Sequence, residues 1–263
     1  MEGSIISNDF IFVFLILSGS FIVIGLFICL IIYFAQSYYK KRTSNLKTIA
    51  QENGYIFHGT ILTPLEKLIR KYLSGNRAID RLSVKKQEKI KNDLEIYRHV
   101  EDYLSFNLFH QGYNKYLQNC FNATKKNLNF RYFDYQYTTG SGKSSHTWYH
   151  SITALKHNSL KLPGFMMKPE NIFHKIGQKF GMQDIDFTDY PNFSSHYLLK
   201  GEEISVRSLF NHDILDFFQY EPGFCLEGNN EILLFYKTKF LKPDDIKNFI
   251  NKAAEVFQLF MSE

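Results

Sequence analysis

The segment Gly140–Ser145 has the residue types that hold phosphate groups in many proteins. It reads Gly-Ser-Gly-Lys-Ser-Ser and so ends like a P-loop (GxxxxGK, then Ser or Thr), where backbone N–H groups and a lysine bind phosphate oxygens. A P-loop needs a glycine where this chain has Tyr137, with a strand before the loop and a helix after it. Both flanks are predicted strands, which favours an exposed hairpin tip. The alternative is an anion-binding loop formed by Gly140, Gly142, Lys143 and Ser144.

The histidines and aspartates lack the spacing of known metal sites. His146 and His150 share one face of a predicted strand but lie about 13 Å apart at ~3.3 Å per residue, too far to share a zinc ion. The segment Asp184–Asp189 lacks the glycine and glutamate of a calcium-binding EF-hand loop. A metal site of scattered histidines is left open as a minor alternative, with ligands among His110, His174, His196 and His212. The sequence otherwise predicts no metal, no cofactor and no catalytic residue, and serine-hydrolase and kinase signatures are absent.

All of these residues follow a predicted membrane anchor. Residues 10–34 are uncharged and apolar, interrupted only by serines and glycines, and a helix of that length spans roughly 37 Å against a hydrocarbon layer of about 30 Å. A cleaved signal peptide would begin with a basic region, whereas Glu2 and Asp9 are the only charged residues before this span. We therefore predict a retained transmembrane helix over residues 10–35, preceded by a short extracytoplasmic segment over residues 1–9.

Basic residues flank the predicted span on one side only. Lys40, Lys41 and Arg42 follow it closely, and the positive-inside rule places this side in the cytoplasm. We therefore predict a single-pass protein of the plasma membrane, with the N-terminus outside and the C-terminal domain in the cytoplasm. The same basic cluster is a candidate site for anionic lipid, at roughly 1 kcal/mol per residue, but a stop-transfer signal is the favoured explanation.

Composition narrows the range of functions. The net charge is +5 over 263 residues, and part of it lies beside the span, so the charge does not indicate binding to nucleic acid. Cys29, Cys120 and Cys225 are too far apart for a CxxC zinc pattern or a disulfide framework, which suits a reducing compartment. The 26 phenylalanines and 17 tyrosines argue for a packed core.

Hydrophobic periodicity divides the remainder into a helical neck over residues 36–105 and an α+β domain over residues 106–263. The anchor helix is expected to continue until Asn53-Gly54 ends it. The later helices are predicted over residues 63–74, 83–106, 169–181, 204–210 and 214–220 and from Pro243 onwards. The strands are predicted over residues 55–60, 128–137, 146–157, 162–167, 193–199, 224–227 and 232–237. Because hairpins dominate, we predict an α+β class with a mainly antiparallel sheet packed by helices.

The C-terminal part resembles a family of bacterial membrane-anchored proteins of unknown function, over about residues 106–263. The motifs that carry the resemblance are Phe133-Asp134-Tyr135-x-Tyr137 before the Gly140–Ser145 loop, Leu162-Pro163-x-Phe165 with Pro169-Glu170, Asp184-Ile185-Asp186-Phe187, Phe193-Ser194-x-x-Tyr197-x-Leu199-x-Gly201, and Val206-Arg207-x-Leu209-Phe210. The resemblance implies a bacterial inner-membrane protein with a cytosolic domain. It supplies no catalytic residues.

Two functions from different classes are consistent with these features. Because the sequence shows no assembled active site, the favoured one is a membrane-tethered interaction or scaffold module, with a protein partner or self-association. The alternative is a ligand-binding or catalytic domain whose Gly140–Ser145 loop contacts an anionic or phosphate-bearing ligand. An enzymatic role is the less favoured of the two. The expected contacts are with a membrane and a protein, and not with nucleic acid.

Overall fold

The computed structural model describes residues 3–61, 83–125, 127–170 and 184–261, with side chains from residue 21 onwards. The chain forms two compact units, residues 1–46 and residues 47–263. The α-helices of the described residues are α1 (Gly3–Glu52), α2 (Val84–Arg98), α3 (Asn107–His110), α4 (Pro191–His196), α5 (Glu203–Leu209), α6 (His212–Tyr220) and α7 (Pro243–Leu259). Short 3-10 helices span Glu101–Tyr103 and Gly142–Ser144. The predicted helix over residues 63–74, and the one over residues 169–181 beyond Glu170, lie outside the described residues.

The strands of the described residues are β1 (Ile56–Gly59), β2 (Tyr113–Lys125), β3 (Leu128–Thr139), β4 (His146–Lys156), β5 (Leu162–Pro169), β6 (Tyr197–Gly201), β7 (Cys225–Asn230) and β8 (Ile232–Lys237). They form one sheet in the order β1-β2-β3-β4-β8-β7-β5-β6, and every neighbouring pair is antiparallel. A long apolar helix followed by an antiparallel sheet with helices confirms the predicted α+β class. The two predicted hairpins are present as the pairs β3–β4 and β7–β8.

Helix α1 is the candidate membrane anchor. From Phe21 its most apolar stretch has a mean hydropathy of 2.2, and none of that stretch is buried. Among the described residues it is the one helix long and apolar enough to cross a membrane, although length and composition suit a signal sequence as well. The helix ends at Glu52, as predicted, where Gly54 adopts a φ of +71° and the Tyr55 N–H donates to the Ala50 carbonyl at 2.7 Å. Glycine reaches this conformation without steric cost.

One face of the sheet is covered by α2, the 3-10 helix Glu101–Tyr103 and α3. Ile96, Tyr103 and Phe109 from these segments share a buried core with Tyr135 and Tyr236 of the sheet. Burying an apolar side chain of this size stabilises the fold by roughly 1.5–3 kcal/mol. These contacts fix the position of the chain between α2 and α3, which forms one side of the groove described below.

Residues 47–61 and 83–105 lie in the same compact unit as the sheet. The division into a helical neck over residues 36–105 and a domain over residues 106–263 stays a prediction. Strand β1 pairs with β2, with Ile56 opposite Asn122, and α2 buries Ile90 and Ile96 in the core of the sheet. The sequence pattern does not reveal this, because an amphipathic helix has the same periodicity whether it packs on a sheet or on another helix.

Helix α7 covers the opposite face of the sheet. Its Phe249 ring stacks on Phe235 with centroids 5.2 Å apart, and Phe235 points away from its neighbour Tyr236 because side chains alternate along a strand. The helix begins at Pro243, as predicted, since proline fixes φ and needs no hydrogen-bond partner at the first helical position.

The strand predicted over residues 193–199 is wrong in its first half. Residues Pro191–His196 form helix α4, and the strand β6 begins only at Tyr197. Phe193 is fully buried within this short helix. Six helical residues are too few to show a helical period, so the aromatic content of the segment favoured a strand.

Candidate binding groove

A groove of about 1000 Å³ lies at one end of the sheet, in the second unit. It is bounded by the end of β4 with the following loop and the start of β5, by the turn between β7 and β8, by one side of α5, and by the chain from Asp102 to Phe106. The polar residues that line it are Asp102, Ser105, Lys156, Asn158, Lys161, Ser205, Ser208, Asn229, Asn230 and Glu231. Lys156 already pairs with Asp102, with Nζ 2.8 Å from Oδ2. The groove therefore presents amides, hydroxyls and charges of both signs.

A second, narrower space of about 180 Å³ adjoins the groove, and we call it the inner pocket. Ser105, Phe106 and Asn229 line both spaces. The remaining walls of the inner pocket are Asn107, Gly164, Phe165, Met166, Lys200, Glu227 and Gly228. Three strands and the start of α3 thus meet around this space.

Glycine at position 228 permits the close packing beside the inner pocket. A Cβ atom at Gly228 would lie 2.2 Å from Cε1 of Phe165, which is far inside van der Waals contact. The Phe165 ring therefore lies directly over the backbone of β7. A Cβ atom at Gly164, on the neighbouring strand β5, would meet no atom within 4 Å. A side chain therefore has space at Gly164 but not at Gly228.

Three charged side chains are buried around the inner pocket. Glu227 is 1% exposed, Lys168 is 3% exposed and Lys200 is 7% exposed. Glu227 Oε1 accepts a hydrogen bond from the Tyr236 hydroxyl at 2.9 Å and lies 3.9 Å from Lys168 Nζ. Its Oε2 accepts from the backbone N–H of Leu108 at 3.3 Å. Burial raises the pKa of Glu227, and Lys168 and the Tyr236 hydrogen bond oppose that rise.

His150 lies in an aromatic environment behind this cluster. Its ring stacks on Tyr137 with centroids 5.4 Å apart and meets Tyr236 edge to face at 5.8 Å. Within the described part of the chain, neither ring nitrogen has a hydrogen-bond partner. Burial, with a smaller effect of Lys168, lowers the pKa of His150 to about 3, so the imidazole is neutral at ordinary pH.

Asp134 organises a second buried polar cluster. Its carboxylate accepts hydrogen bonds from the Tyr132 hydroxyl at 2.7 Å, the Ser151 hydroxyl at 3.0 Å and the Asn119 side-chain amide at 2.8 Å. These residues come from β2, β3 and β4, and the cluster does not line the groove or the inner pocket. It fixes the register of three neighbouring strands, which is a structural role.

The predicted Gly140–Ser145 loop is an exposed hairpin tip and does not line the groove. β3 precedes it and β4 follows it, with only the 3-10 turn Gly142–Ser144 between them. The Ser144 N–H donates to the Ser141 carbonyl at 3.1 Å and the Ser145 N–H to the Gly142 carbonyl at 3.2 Å. These two donors are therefore used inside the loop. Anion binding by Gly140, Gly142, Lys143 and Ser144 stays a prediction.

The other candidate residues that the structure describes do not line the groove, and His174 lies outside the described residues. His146 is exposed while His150 is buried, and no group of three or more metal-ligating side chains comes together among the described residues. Lys40 and Lys41 are exposed, whereas Arg42 is 3% exposed. Lipid binding by this cluster stays a prediction, and it depends on the two lysines. The sequence did not point to Lys168, Lys200 or Glu227, because charged residues on separate strands carry no local motif.

Comparisons with known proteins give one similar fold. No protein-family model matches this chain, and no characterised protein sequence matches it. The crystal structure of the mycobacterial trehalose monomycolate transport factor A, TtfA, resembles it with a TM-score of 0.45 and 6% identity, over 83% of this chain and 95% of that one. At this identity and TM-score no statement about function follows. The resemblance to a family of bacterial membrane-anchored proteins stays a prediction.

Proposed function

We propose that this chain is a membrane-tethered interaction module whose second unit holds a partner protein in the groove. The observation that carries this proposal is the continuity of the groove with the inner pocket through Ser105, Phe106 and Asn229. Specific binding sites are usually concave, largely formed in advance and equipped with a few convergent polar groups. Both spaces meet this description.

The lining of the groove favours a peptide segment as the occupant. Asn158, Ser208 and Asn229 are exposed side chains that can donate and accept hydrogen bonds. An extended peptide presents backbone N–H and C=O groups along its whole length, and these need such partners. The volume of about 1000 Å³ has room for several residues.

Two reactive residue types near the site are held in unreactive forms, which supports binding over covalent chemistry. Burial raises the pKa of the Cys225 thiol to about 12, and the thiolate is the nucleophilic form. The pKa of His150 is about 3, so it is a poor proton acceptor at neutral pH. Neither residue lines the groove or the inner pocket.

We further propose that α1 anchors the module in a bacterial inner membrane, with a short N-terminus outside and the second unit in the cytoplasm. The exposed Lys40 and Lys41 support this orientation through the positive-inside rule. Protease added to spheroplasts should leave the second unit intact and degrade it only after lysis. Changing both lysines to glutamate should weaken that orientation and increase cleavage from outside. Degradation of the wild-type second unit in intact spheroplasts would contradict the proposal.

The interaction is tested by purifying the full-length protein in mild detergent and measuring the mass of the particle. The wild-type chain should carry a stoichiometric protein partner. Ser208→Trp, which fills the groove from α5, should lose it. Ser195→Trp is the matched control, because Ser195 is also exposed, on α4, and does not line the groove.

The outcomes of this experiment show whether a partner binds and whether it binds in the groove. A particle of this chain alone would count against an interaction module. A partner retained by both variants would place the contact elsewhere. An assembly of the chain with itself that Ser208→Trp abolishes would make a second copy the occupant.

A further inference from the structure

The first turns of α2 carry three exposed lysines, Lys85, Lys86 and Lys89, which we call the basic turn. Lys89 follows the other two by three and four residues, so the three side chains lie on one side of the helix. Among the described residues, none of them takes part in an ion pair. Ile90 is the first buried residue of α2. The basic turn therefore precedes the part of α2 that packs on the sheet.

The basic turn does not stabilise the helix that carries it. Lys85 and Lys86 lie in the first turn of α2, which holds no acidic residue. Positive charge at this position opposes the helix dipole, whose N-terminal end is positive. Like charges three or four residues apart also repel each other. A negatively charged partner beside the three lysines would offset both effects.

The distribution of charge along the chain indicates what kind of partner this is. Residues 1–98 contain 14 lysines and arginines and eight aspartates and glutamates, whereas residues 99–263 contain 17 and 18. Nucleic-acid binding needs basic side chains along a surface that follows many phosphates. The nearly neutral second segment, which holds most of the sheet, supplies no excess of positive charge for that purpose. A lipid surface needs only a few cations at one place.

The candidate membrane helix α1 belongs to the same chain and ends at Glu52, before the basic turn. When one part of a chain is held in a membrane, a second contact with that membrane becomes intramolecular, and weak contacts then suffice. Lysines near an anionic surface are attracted to it if they lie within a Debye length. The basic turn thus has the charge, the exposure and the connection to an anchor that such a contact needs.

We propose that the basic turn of α2 docks on an anionic lipid surface, with phosphate-bearing head groups beside its three ammonium groups. This inference rests on the proposed anchoring by α1 and is independent of the groove. It assigns a membrane contact to the second unit in addition to the anchor. The groove then serves the protein partner, and the basic turn serves the lipid.

The test uses the full-length protein in lipid nanodiscs, with a fluorophore attached at Val84→Cys beside the basic turn. Val84 is 76% exposed. Cys29 is replaced by serine, while Cys120 and Cys225 are buried and stay unlabelled. Nitroxides on the lipid head groups quench a fluorophore that lies near the membrane surface. Quenching should be stronger in discs of equal parts phosphatidylcholine and phosphatidylglycerol than in phosphatidylcholine alone. The difference should vanish in about 1 M sodium chloride, where the Debye length is about 3 Å.

Replacing the basic turn should abolish this difference. Each lysine near an anionic surface changes the ratio of docked to free protein by about fivefold, so the triple variant should lower the ratio on the order of 100-fold. The triple variant combines Lys85→Gln, Lys86→Gln and Lys89→Gln. The matched control removes the same charge at exposed lysines before and within α7, and it should keep the difference. It combines Lys239→Gln, Lys242→Gln and Lys247→Gln.

Four results would overturn the proposal. The first is equal quenching of the wild-type protein in both kinds of disc, and the second is an unchanged difference in the triple variant of the basic turn. The third is an equal difference for a fluorophore at Ile204→Cys, which is 79% exposed on α5, because the second unit would then approach the lipid through another surface. The fourth is a response of the Val84→Cys fluorophore to duplex DNA and none to phosphatidylglycerol, which would make nucleic acid the partner.

Failure of the protein to enter the discs would contradict the anchoring by α1 and, with it, this inference. Entry without a response to phosphatidylglycerol would overturn the docking alone. The retained partner in the Ser208→Trp experiment is measured separately in detergent, so the groove and the basic turn can fail independently.

Discussion

Replacing His150 with phenylalanine should make the free energy of unfolding less sensitive to acid. The imidazole is fully buried between tyrosine rings, and burial lowers its pKa to about 3. In the unfolded chain the same group titrates near its ordinary value of about 6.5. Between these two values the unfolded state binds a proton that the folded state does not bind. The free energy of unfolding therefore falls as the pH is lowered through this window.

The size of the effect follows from the two pKa values. One pKa unit corresponds to about 1.4 kcal/mol, and the window between about 6.5 and about 3 covers most of the range from pH 7 to pH 4. His150 alone should therefore remove about 3 kcal/mol of stability between pH 7 and pH 4. This is a large fraction of the roughly 5–15 kcal/mol that holds a typical domain folded.

Urea unfolding of the full-length protein in mild detergent measures this effect, with the fluorescence of Trp148, the only tryptophan in the chain, as the probe. The difference between wild type and His150→Phe is compared at pH 7 and pH 4. Packing changes caused by the larger ring cancel in this comparison because they do not depend on pH. His196→Phe is the control, since His196 is exposed on α4. If His150→Phe lost as much stability in acid as the wild type, the buried neutral imidazole would be refuted.

Two further predictions concern glycine packing and the hairpin tip. Gly228→Ala should lower the free energy of unfolding by about 1–3 kcal/mol, because the new methyl group meets the Phe165 ring, whereas Gly164→Ala should change it little in the same urea titration. Equal values for the two variants would show that the ring moves aside freely. Lys143→Ala should leave a phosphate titration of the protein unchanged, since N–H groups of its loop already donate to loop carbonyls. If the wild-type protein bound phosphate and this variant did not, the hypothesis of an anion-binding loop would be supported instead.

Most of the fold could be predicted because its signals are local. Gly54 ends α1 through a conformation that glycine adopts easily. Asn211 begins α6 by accepting the Ile214 N–H at 3.1 Å, as its residue type and position suggest. The β3–β4 hairpin follows from two aromatic segments around a loop rich in glycine and serine. In each case the deciding residues lie within a few positions of one another.

The inner pocket could not be predicted, because it depends on the order of the strands. Lys200 on β6, Glu227 on β7 and Phe165 on β5 come together only because β5 pairs with both neighbours. A lysine or glutamate in a strand normally indicates its solvent-facing side. Here Lys200 and Glu227 are both buried, and the residues that surround them come from distant parts of the chain. The local Gly140–Ser145 pattern drew attention to a loop outside the groove for the same reason.

The buried pair of Lys168 and Glu227 is better explained by the segment that it holds in place than by a contribution to the free energy of unfolding. Replacing such a pair with apolar residues of similar size is often neutral or even stabilising, because the desolvation of two charges offsets their attraction. Glu227 does more than pair with lysine, since it also accepts the Leu108 N–H at the start of α3 and thereby holds the chain around Phe106. Phe106 is a wall of both the groove and the inner pocket. A wall fixed in this way keeps its shape without a ligand, which lowers the ordering cost of binding. Glu227 in the wall of the inner pocket and Lys168 beside it are thus placed as the proposed recognition site would require.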